Sequence, residues 1–136
     1  MFMNYNAGGI TIIESAVRVL DEKEQELVEA LEAVGVRRNV ATIIVYLKDL
    51  EEATSRDIEK GSGLRQPEVS IAMRTLREKG WIAERDVKGS GKGRPTRLYR
   101  LVISIDEIIG YFEEIKRRES ARAIETIQRL KEISAT

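Results

Sequence analysis

One short stretch of polar residues at helical spacing carries the most chemistry in this sequence. Gln66, Ser70 and Arg74 recur every four residues, so a helix places all three on one face. Gln can bond adenine through two hydrogen bonds, Arg can bond guanine in the same way, and Ser can bond a base or a phosphate. Ile71 beside them can meet a thymine methyl group. Arg65 and Arg77 lie at the edges of this face, so the candidate DNA-binding residues of the helix are Arg65, Gln66, Ser70, Ile71, Arg74 and Arg77.

A second basic cluster surrounds the glycine-rich segment GSGKGRP at 89–95. The flanking segments 81–87 and 96–102 are rich in β-branched and aromatic residues, which predicts a β-hairpin with a flexible basic tip. Lys88 and Lys92 suit phosphate oxygens, and Arg94, stiffened by Pro95, suits a minor groove. The candidate hairpin contacts are Lys88, Lys92, Arg94 and Arg97. The alternative for both clusters is an ordinary solvated surface, on which Arg74 and Arg77 pair with neighbouring acids such as Glu78.

The segments around these residues predict the elements that position them. Thr54 and Asp57 form a capping signal for a short helix over 55–60, which Gly61 and Gly63 are expected to end. Pro67 is favoured in the first turn of the next helix, so we expect Arg65 or Gln66 at its cap and the helix to run to about Lys79. The two helices and the following hairpin predict a winged helix-turn-helix.

Further helices are predicted on both sides of this unit. Apolar residues at helical spacing over 13–20 continue over 27–34 after a capping signal at Asp21. Asn39 is the predicted cap of a helix with an apolar stripe from Val40 to Leu50. A long amphipathic helix of about 28 residues follows Ser104. Its apolar seam is interrupted at 116–120, which favours a bundled or antiparallel helix pair over a strict coiled coil.

These elements predict a mainly α protein with a small β-hairpin wing, and three parts of the chain. Residues 1–35 form an N-terminal helical extension, residues 36–103 the winged helix-turn-helix, and residues 104–136 a C-terminal dimerisation helix. The apolar stripes outside the compact winged unit indicate a homodimer through the terminal helices.

Composition narrows the possible functions. The 23 basic and 23 acidic residues balance overall. Residues 65–100, however, hold ten basic against four acidic side chains, a net of +6, whereas residues 1–35 carry a net of −5. The first region should attract phosphate and the second should repel it. Without any Cys or His, the common catalytic triads and transition-metal sites cannot be built, and only carboxylate, lysine, serine or tyrosine chemistry remains. The carboxylates have the helical spacing of ordinary capping and solvation, so we expect no enzyme, cofactor or metal site. No segment is apolar enough to span a bilayer, which predicts a soluble cytoplasmic protein.

The stretch GLRQPEVSIAMRTLREKGWI at 63–82, followed by GSGKGRPTRLYRL at 89–101, resembles winged helix-turn-helix transcription regulators of the ArsR, MarR and TrmB groups, and most closely predicted archaeal regulators of this type. The resemblance covers residues 54–102, about half of the chain. It implies a homodimer that binds a pseudo-palindromic operator through the second helix and the basic wing tip. The metal-binding cysteines and histidines of ArsR-type sensors are absent, so metal sensing does not carry over. Ile71 stands where such helices often have a basic residue, so sequence specificity does not carry over either.

Together these observations predict a sequence-specific regulator of transcription that binds double-stranded DNA, with an inverted-repeat operator and no membrane partner. In that reading the second helix lies in the major groove, and the basic wing contacts the minor groove or the backbone. The alternative is a winged-helix adaptor that binds proteins in the transcription or chromosome machinery, with Ile71 as an anchor in a partner groove.

Overall fold

The computed structural model describes residues 19–88, 93 and 95–136. Of the described residues, those up to Val102 form one compact unit and those from Ile103 onward form another. The first contains α1 (Glu22–Ala33), α2 (Arg38–Leu47), β1 (Ala53–Thr54), α3 (Ser55–Ser62), α4 (Gln66–Glu78), β2 (Ile82–Val87) and β3 (Thr96–Leu101), and the second contains α5 (Ile105–Ser134). The predicted helical segment before residue 19 lies outside the described residues.

Short polar sequences begin several of these helices. Capping boxes form at the predicted caps, which are Asp21, Thr54 and Ser104. At the start of α5 the Ser104 hydroxyl accepts a hydrogen bond from the Glu107 N–H at 3.1 Å, and the Glu107 carboxylate accepts one from the Ser104 N–H at 3.0 Å. The bond from the backbone of Ser104 lowers the pKa of Glu107, because it stabilises the charged carboxylate.

The end of α4 turns the chain directly into the sheet. Gly80 adopts a left-handed conformation with φ of 75°, which a residue with a Cβ adopts at a cost. Its N–H donates to the carbonyl of Arg77, and the N–H of Trp81 donates to the carbonyl of Leu76, both at 3.0 Å. This pair of bonds closes the helix as a Schellman motif. Trp81 is thereby buried at the start of β2.

The predicted cap at Asn39 is wrong. The cap of α2 is Arg37, whose φ of −63° and ψ of 144° are extended, and the helix begins at Arg38. The reason lies in the preceding turn, where the N–H of Val36 bonds the carbonyl of Leu31 at 3.0 Å and completes the end of α1. Because α1 is complete at Val36, the next residue, Arg37, can serve as the cap of α2.

The prediction that Gly61 ends α3 is also wrong, since the helix continues to Ser62 and ends at Gly63, which has φ of 75°. Gly61 instead allows a close approach between helices. A Cβ at this position would overlap the ring of Tyr46, a side chain on α2 that is 1% exposed. The glycine therefore lets α3 lie directly against α2.

The core of the first unit is built around α2, in which every residue from Val40 to Leu47 is buried. This helix contacts α1, α3 and α4. The predicted apolar face of α4 is buried, as expected, through Val69, Ala72, Met73 and Leu76. Because one face of α4 is fixed in this core, its opposite face is held at the surface.

The three strands form an antiparallel sheet in the order β1, β3, β2. Strands β2 and β3 form the predicted hairpin, with Ile82 opposite Leu101 and Val87 opposite Thr96. The two-residue strand β1, which was not predicted, pairs Ala53 with Tyr99. The succession of three helices, a recognition-type helix α4 and a hairpin is that of a winged helix-turn-helix, so the predicted fold class is confirmed.

Candidate nucleic-acid interface

The exposed face of α4 brings together the polar side chains that the spacing predicted. Gln66, Ser70 and Arg74 are all exposed and lie one turn apart along the helix. None of these three side chains makes a hydrogen bond or an ion pair with any residue that the structure describes. Their donors and acceptors are therefore available to a ligand. The geometry suits bidentate contacts with base edges in a major groove, into which a helix fits.

Ile71 lies at the side of this polar face with 59% of its surface exposed. It borders a groove between α4 and the start of α2, lined by Arg37, Arg38, Asn39, Val40, Glu68, Ile71, Ala72 and Thr75. Arg37 and Arg38 were not among the sequence-predicted site residues. The signal was an Arg-Arg pair just after Gly35, but only the packing of α2 on α4 brings it to this surface. Arg38 pairs with Glu32 at 2.7 Å.

Two arginines flank the polar face of α4 and differ in their contacts. Arg65, at the N-cap, lies 3.9 Å from the Glu68 carboxylate, and its side chain is 87% exposed. Arg77, in the last turn, donates from Nε to Glu84 Oε1 at 3.0 Å. The structure thus places Arg65 beside the first turn with a weak partner and fixes Arg77 to the base of the hairpin.

Glu84 joins the end of α4 to the hairpin. Besides Arg77, it contacts Arg97 on β3, with Nη1 to Oε2 at 3.2 Å. Arg97 also donates from Nε to Asp86 Oδ1 at 3.1 Å, as expected for residues directly opposite each other in the β2–β3 register. The pKa of Arg97 is raised, mainly by the hydrogen bond to Asp86 and by the charges of Asp86 and Glu84. Together Arg77, Glu84, Arg97 and Asp86 form one set of ion pairs, the hairpin-base network.

The other face of the hairpin carries a second ion pair that sequence reasoning missed. Arg85 bonds both oxygens of Glu52, the residue just before β1, with Nη2 to Oε1 at 2.7 Å. This hydrogen bond lowers the pKa of Glu52 and raises that of Arg85. The two residues are far apart in the sequence, so only the pairing of β1 with β3 could have revealed the contact.

Lys88, Lys92 and Arg94 are the remaining hairpin candidates from the sequence. Lys88 is exposed at the end of β2, and Gly93 has φ of 114°, which a glycine adopts readily. Lys92 and Arg94 lie outside the described residues. Within residues 19–88, 93 and 95–136, no group of three or more Asp or Glu side chains is arranged to hold a metal ion. No described helix is both long and apolar enough to cross a membrane.

The fold and surface are those of a winged helix-turn-helix in which α4, the second helix of the helix-turn-helix unit, presents an exposed polar face. The chain is similar to the structure of a possible transcriptional regulator from Methanosarcina mazei Go1, with a TM-score of 0.57 and 13% identity over 76% of this chain and 85% of that one. It is also similar to TrmBL2, an archaeal chromatin protein described with a novel mode of DNA binding, with a TM-score of 0.60 and 19% identity over 81% of this chain.

The match to TrmBL2 spans only 40% of that protein. At these identities the two similarities establish a shared fold, which confirms the resemblance to winged helix-turn-helix regulators at that level. The chain matches no protein-family model and no curated protein sequence.

Proposed function

We propose that this protein is a transcriptional regulator that binds specific double-stranded DNA. The observation that carries the proposal is the face of α4, where Gln66, Ser70 and Arg74 are exposed in one line with no partner among the described residues. The opposite face is fixed in the core. A helix held rigidly on one side, with free donors and acceptors on the other, suits direct readout of a major groove.

In this proposal the residues divide by the part of the DNA that they contact. Gln66, Arg74 and Ile71 read base edges, and Ser70 bonds a base or a nearby phosphate. Arg65, Arg77, Lys88, Lys92, Arg94 and Arg97 are the contacts to the backbone and the minor groove. Phosphate contacts of this kind fix the register of the protein on the duplex, whereas the contacts of α4 supply specificity.

The proposed regulator acts in the cytoplasm as a homodimer on an inverted repeat. Two copies related by a two-fold axis would place their α4 helices in successive major grooves, about 34 Å apart. The apolar surface of the terminal helix supports the dimer, because Ile127 and Leu130 are exposed. Such a face is expected to be covered by another chain.

The test is the binding of duplexes selected from a random library, followed by titration of the selected duplex in rising salt. An inverted repeat should be recovered. Its affinity should fall by roughly two orders of magnitude or more between about 50 and 200 mM salt, because each neutralised phosphate releases counterions. A library that shows no enrichment, together with no duplex binding at about 50 mM salt, would refute the proposal.

The exposed Ile71 and the groove beside it favour a second candidate function, an adaptor that binds a protein. An apolar side chain with 59% exposure beside a groove is the type of anchor that a partner helix or loop can cover. In this case Lys92→Ala combined with Arg94→Ala should leave function intact, whereas Ile71→Asn should abolish it. Loss of duplex binding in the double variant would instead support the regulator.

A further inference from the structure

The second unit of the chain, α5, has an extended apolar surface. The helix has 30 residues and is about 45 Å long. Its large exposed apolar side chains include Ile109, Ile124, Ile127, Leu130 and Ile133, with exposed fractions between 49% and 67%. Monomeric proteins rarely leave so many large apolar side chains exposed along one helix. The arrangement of residues along α5 indicates which partner covers it.

One face of α5 is self-complementary when it is reversed. Ile109 lies eleven residues before Ser120, and Leu130 lies eleven residues after Glu119. Phe112 and Ile127 are related in the same way, eight residues from the same two positions. All four lie on one face, because they recur at intervals close to the helical period. A second copy running in the opposite direction therefore places Ile109 opposite Leu130 and Phe112 opposite Ile127.

The middle of this face is polar. Lys116 and Glu119 lie on it, and within the helix Lys116 Nζ pairs with Glu119 Oε1 at 3.3 Å. Such a polar position in an apolar seam is destabilising unless it meets another polar group, so it fixes the register in which two helices pair. In the reversed arrangement the polar middle of one copy meets the polar middle of the other, and the apolar thirds at each end meet each other.

Charge selects the antiparallel direction over the parallel one. Residues 105–115 of α5 contain four acidic side chains, Asp106, Glu107, Glu113 and Glu114, and no basic ones. Residues 120–136 contain three basic and two acidic side chains. A parallel pair would place the two acidic segments side by side, which is repulsive. An antiparallel pair places each acidic segment beside the net-positive end of its partner.

We propose that α5 pairs antiparallel with α5 of a second copy of this chain, centred between Glu119 and Ser120. The proposal rests on the homodimer of the proposed function and specifies the surface and direction of its pairing. The contact is isologous, since the same surface is used by both copies. It therefore closes at two chains and does not propagate.

The absence of cysteine from the chain allows a direct test with single introduced cysteines in the full-length protein. Ser120→Cys, Ile109→Cys, Leu130→Cys and Ser134→Cys are prepared, and each is treated with a short bis-maleimide at micromolar concentration. In the antiparallel pair the two Ser120 positions lie at the centre, whereas the two Ser134 positions are about 40 Å apart and the two Ile109 positions more than about 30 Å apart.

Ser120→Cys alone should therefore cross-link into a dimer, and Ser134→Cys or Ile109→Cys alone should not. A mixture of Ile109→Cys and Leu130→Cys protein should cross-link, although neither does so by itself. Efficient cross-linking of Ser134→Cys with itself would overturn the proposal in favour of a parallel pair. A monomer by light scattering, with no cross-link in any variant, would also overturn the proposal.

The same variants separate this inference from the proposed function. Cross-linking is measured without DNA, and duplex binding is measured on the uncross-linked proteins. If the selected duplex is bound while the cross-linking pattern fails, only the pairing of α5 is refuted. If the pattern appears but no duplex is bound, only the proposed regulator is refuted.

Discussion

The exposed face of α4 and the β2–β3 hairpin both carry arginines, but these arginines are in different states. On α4, Arg74 makes no ion pair with a described residue. On the hairpin, Arg97 is held by Asp86 and Glu84, and Arg85 is held by Glu52. The net charge of +6 over residues 65–100 therefore overstates the positive charge that is available to a ligand.

This difference has an energetic consequence for binding. A paired arginine must leave its carboxylate before it contacts a phosphate, whereas a free one loses only water. Exposed ion pairs contribute about 0 to 1 kcal/mol, so the cost is modest and reduces what a contact from Arg85 or Arg97 can contribute. We infer that Arg74 contributes more binding free energy than Arg97 and that the hairpin-base network mainly holds the hairpin against the end of α4.

The largest expected effect comes from breaking the support that both surfaces share. Gly61→Ala places a Cβ where the buried ring of Tyr46 lies, and this overpacking between α3 and α2 should lower the free energy of unfolding by ~3 kcal/mol. Urea denaturation measures the change. Gly110→Ala is the matched control, since nothing lies within 4 Å of a Cβ there, and it should raise stability by up to about 1 kcal/mol. Equal effects of the two substitutions would show that Tyr46 does not pack on Gly61.

The next largest effect tests the difference between the unpaired Arg74 on α4 and the paired Arg97 on the hairpin. Arg74→Ala should weaken binding of the selected duplex by roughly 10- to 100-fold, the range expected for losing a bidentate base contact. Arg97→Ala should weaken binding less. Arg97 has to give up its ion pair with Asp86 to contact DNA, and this offsets part of what its DNA contact contributes. Fluorescence anisotropy measures both, with Arg122→Ala, an exposed arginine of α5, as the control. A larger loss of affinity for Arg97→Ala than for Arg74→Ala would reverse the proposed order of the two arginines.

A smaller effect in the opposite direction should come from Asp86→Asn. This substitution removes a carboxylate that bonds Arg97 at 3.1 Å, so Arg97 becomes more available and binding should tighten by about threefold. The salt dependence should steepen at the same time. Asp49→Asn is the control, because it removes the same charge and frees Lys48 at a site away from the hairpin. If both substitutions tighten binding equally, net charge alone accounts for the gain.

The parts of the fold that could be predicted from sequence are those set by neighbouring residues. The caps at Asp21, Thr54 and Ser104 need only residues three positions apart, and Pro67 and Gly80 mark the two ends of α4 through their own backbone preferences. The exposed face of α4 followed in the same way from a single helical period. Local rules of this kind gave the winged helix-turn-helix correctly.

The parts that sequence reasoning missed depend on residues far apart in the chain. A strand of two residues such as Ala53–Thr54 has no period of its own and exists only because β3 pairs with it. The contact of Glu52 with Arg85 follows from that pairing. Gly61 was misread for the same reason, because its role is set by Tyr46 on another helix. The hairpin-base network likewise requires the strand register, which composition does not contain.

The smallest expected effect is on stability and concerns the ion pair between Glu52 and Arg85, on the face of the hairpin opposite the hairpin-base network. The bond from Arg85 lowers the pKa of Glu52 below its ordinary value of 4.5 in the folded protein. A carboxylate with a lowered pKa stabilises the fold above its unfolded pKa, and this contribution is lost as pH falls through the folded value. The stability difference between the natural protein and Glu52→Gln should therefore be largest near neutral pH and vanish in acid.

Urea denaturation from about pH 6 down to about pH 2 measures this difference. The control is the stability difference between the natural protein and Glu51→Gln, since Glu51 is a neighbouring exposed carboxylate with no described ion pair. A Glu52→Gln difference that stays constant over the range would mean that the pair does not form in solution. Duplex binding should be unchanged at neutral pH, because the hairpin-base network lies on the other face of the sheet. If Glu52→Gln tightened binding as Asp86→Asn is expected to, Arg85 would belong with the DNA contacts, and the charge available on the hairpin would be larger than the ion pairs suggest.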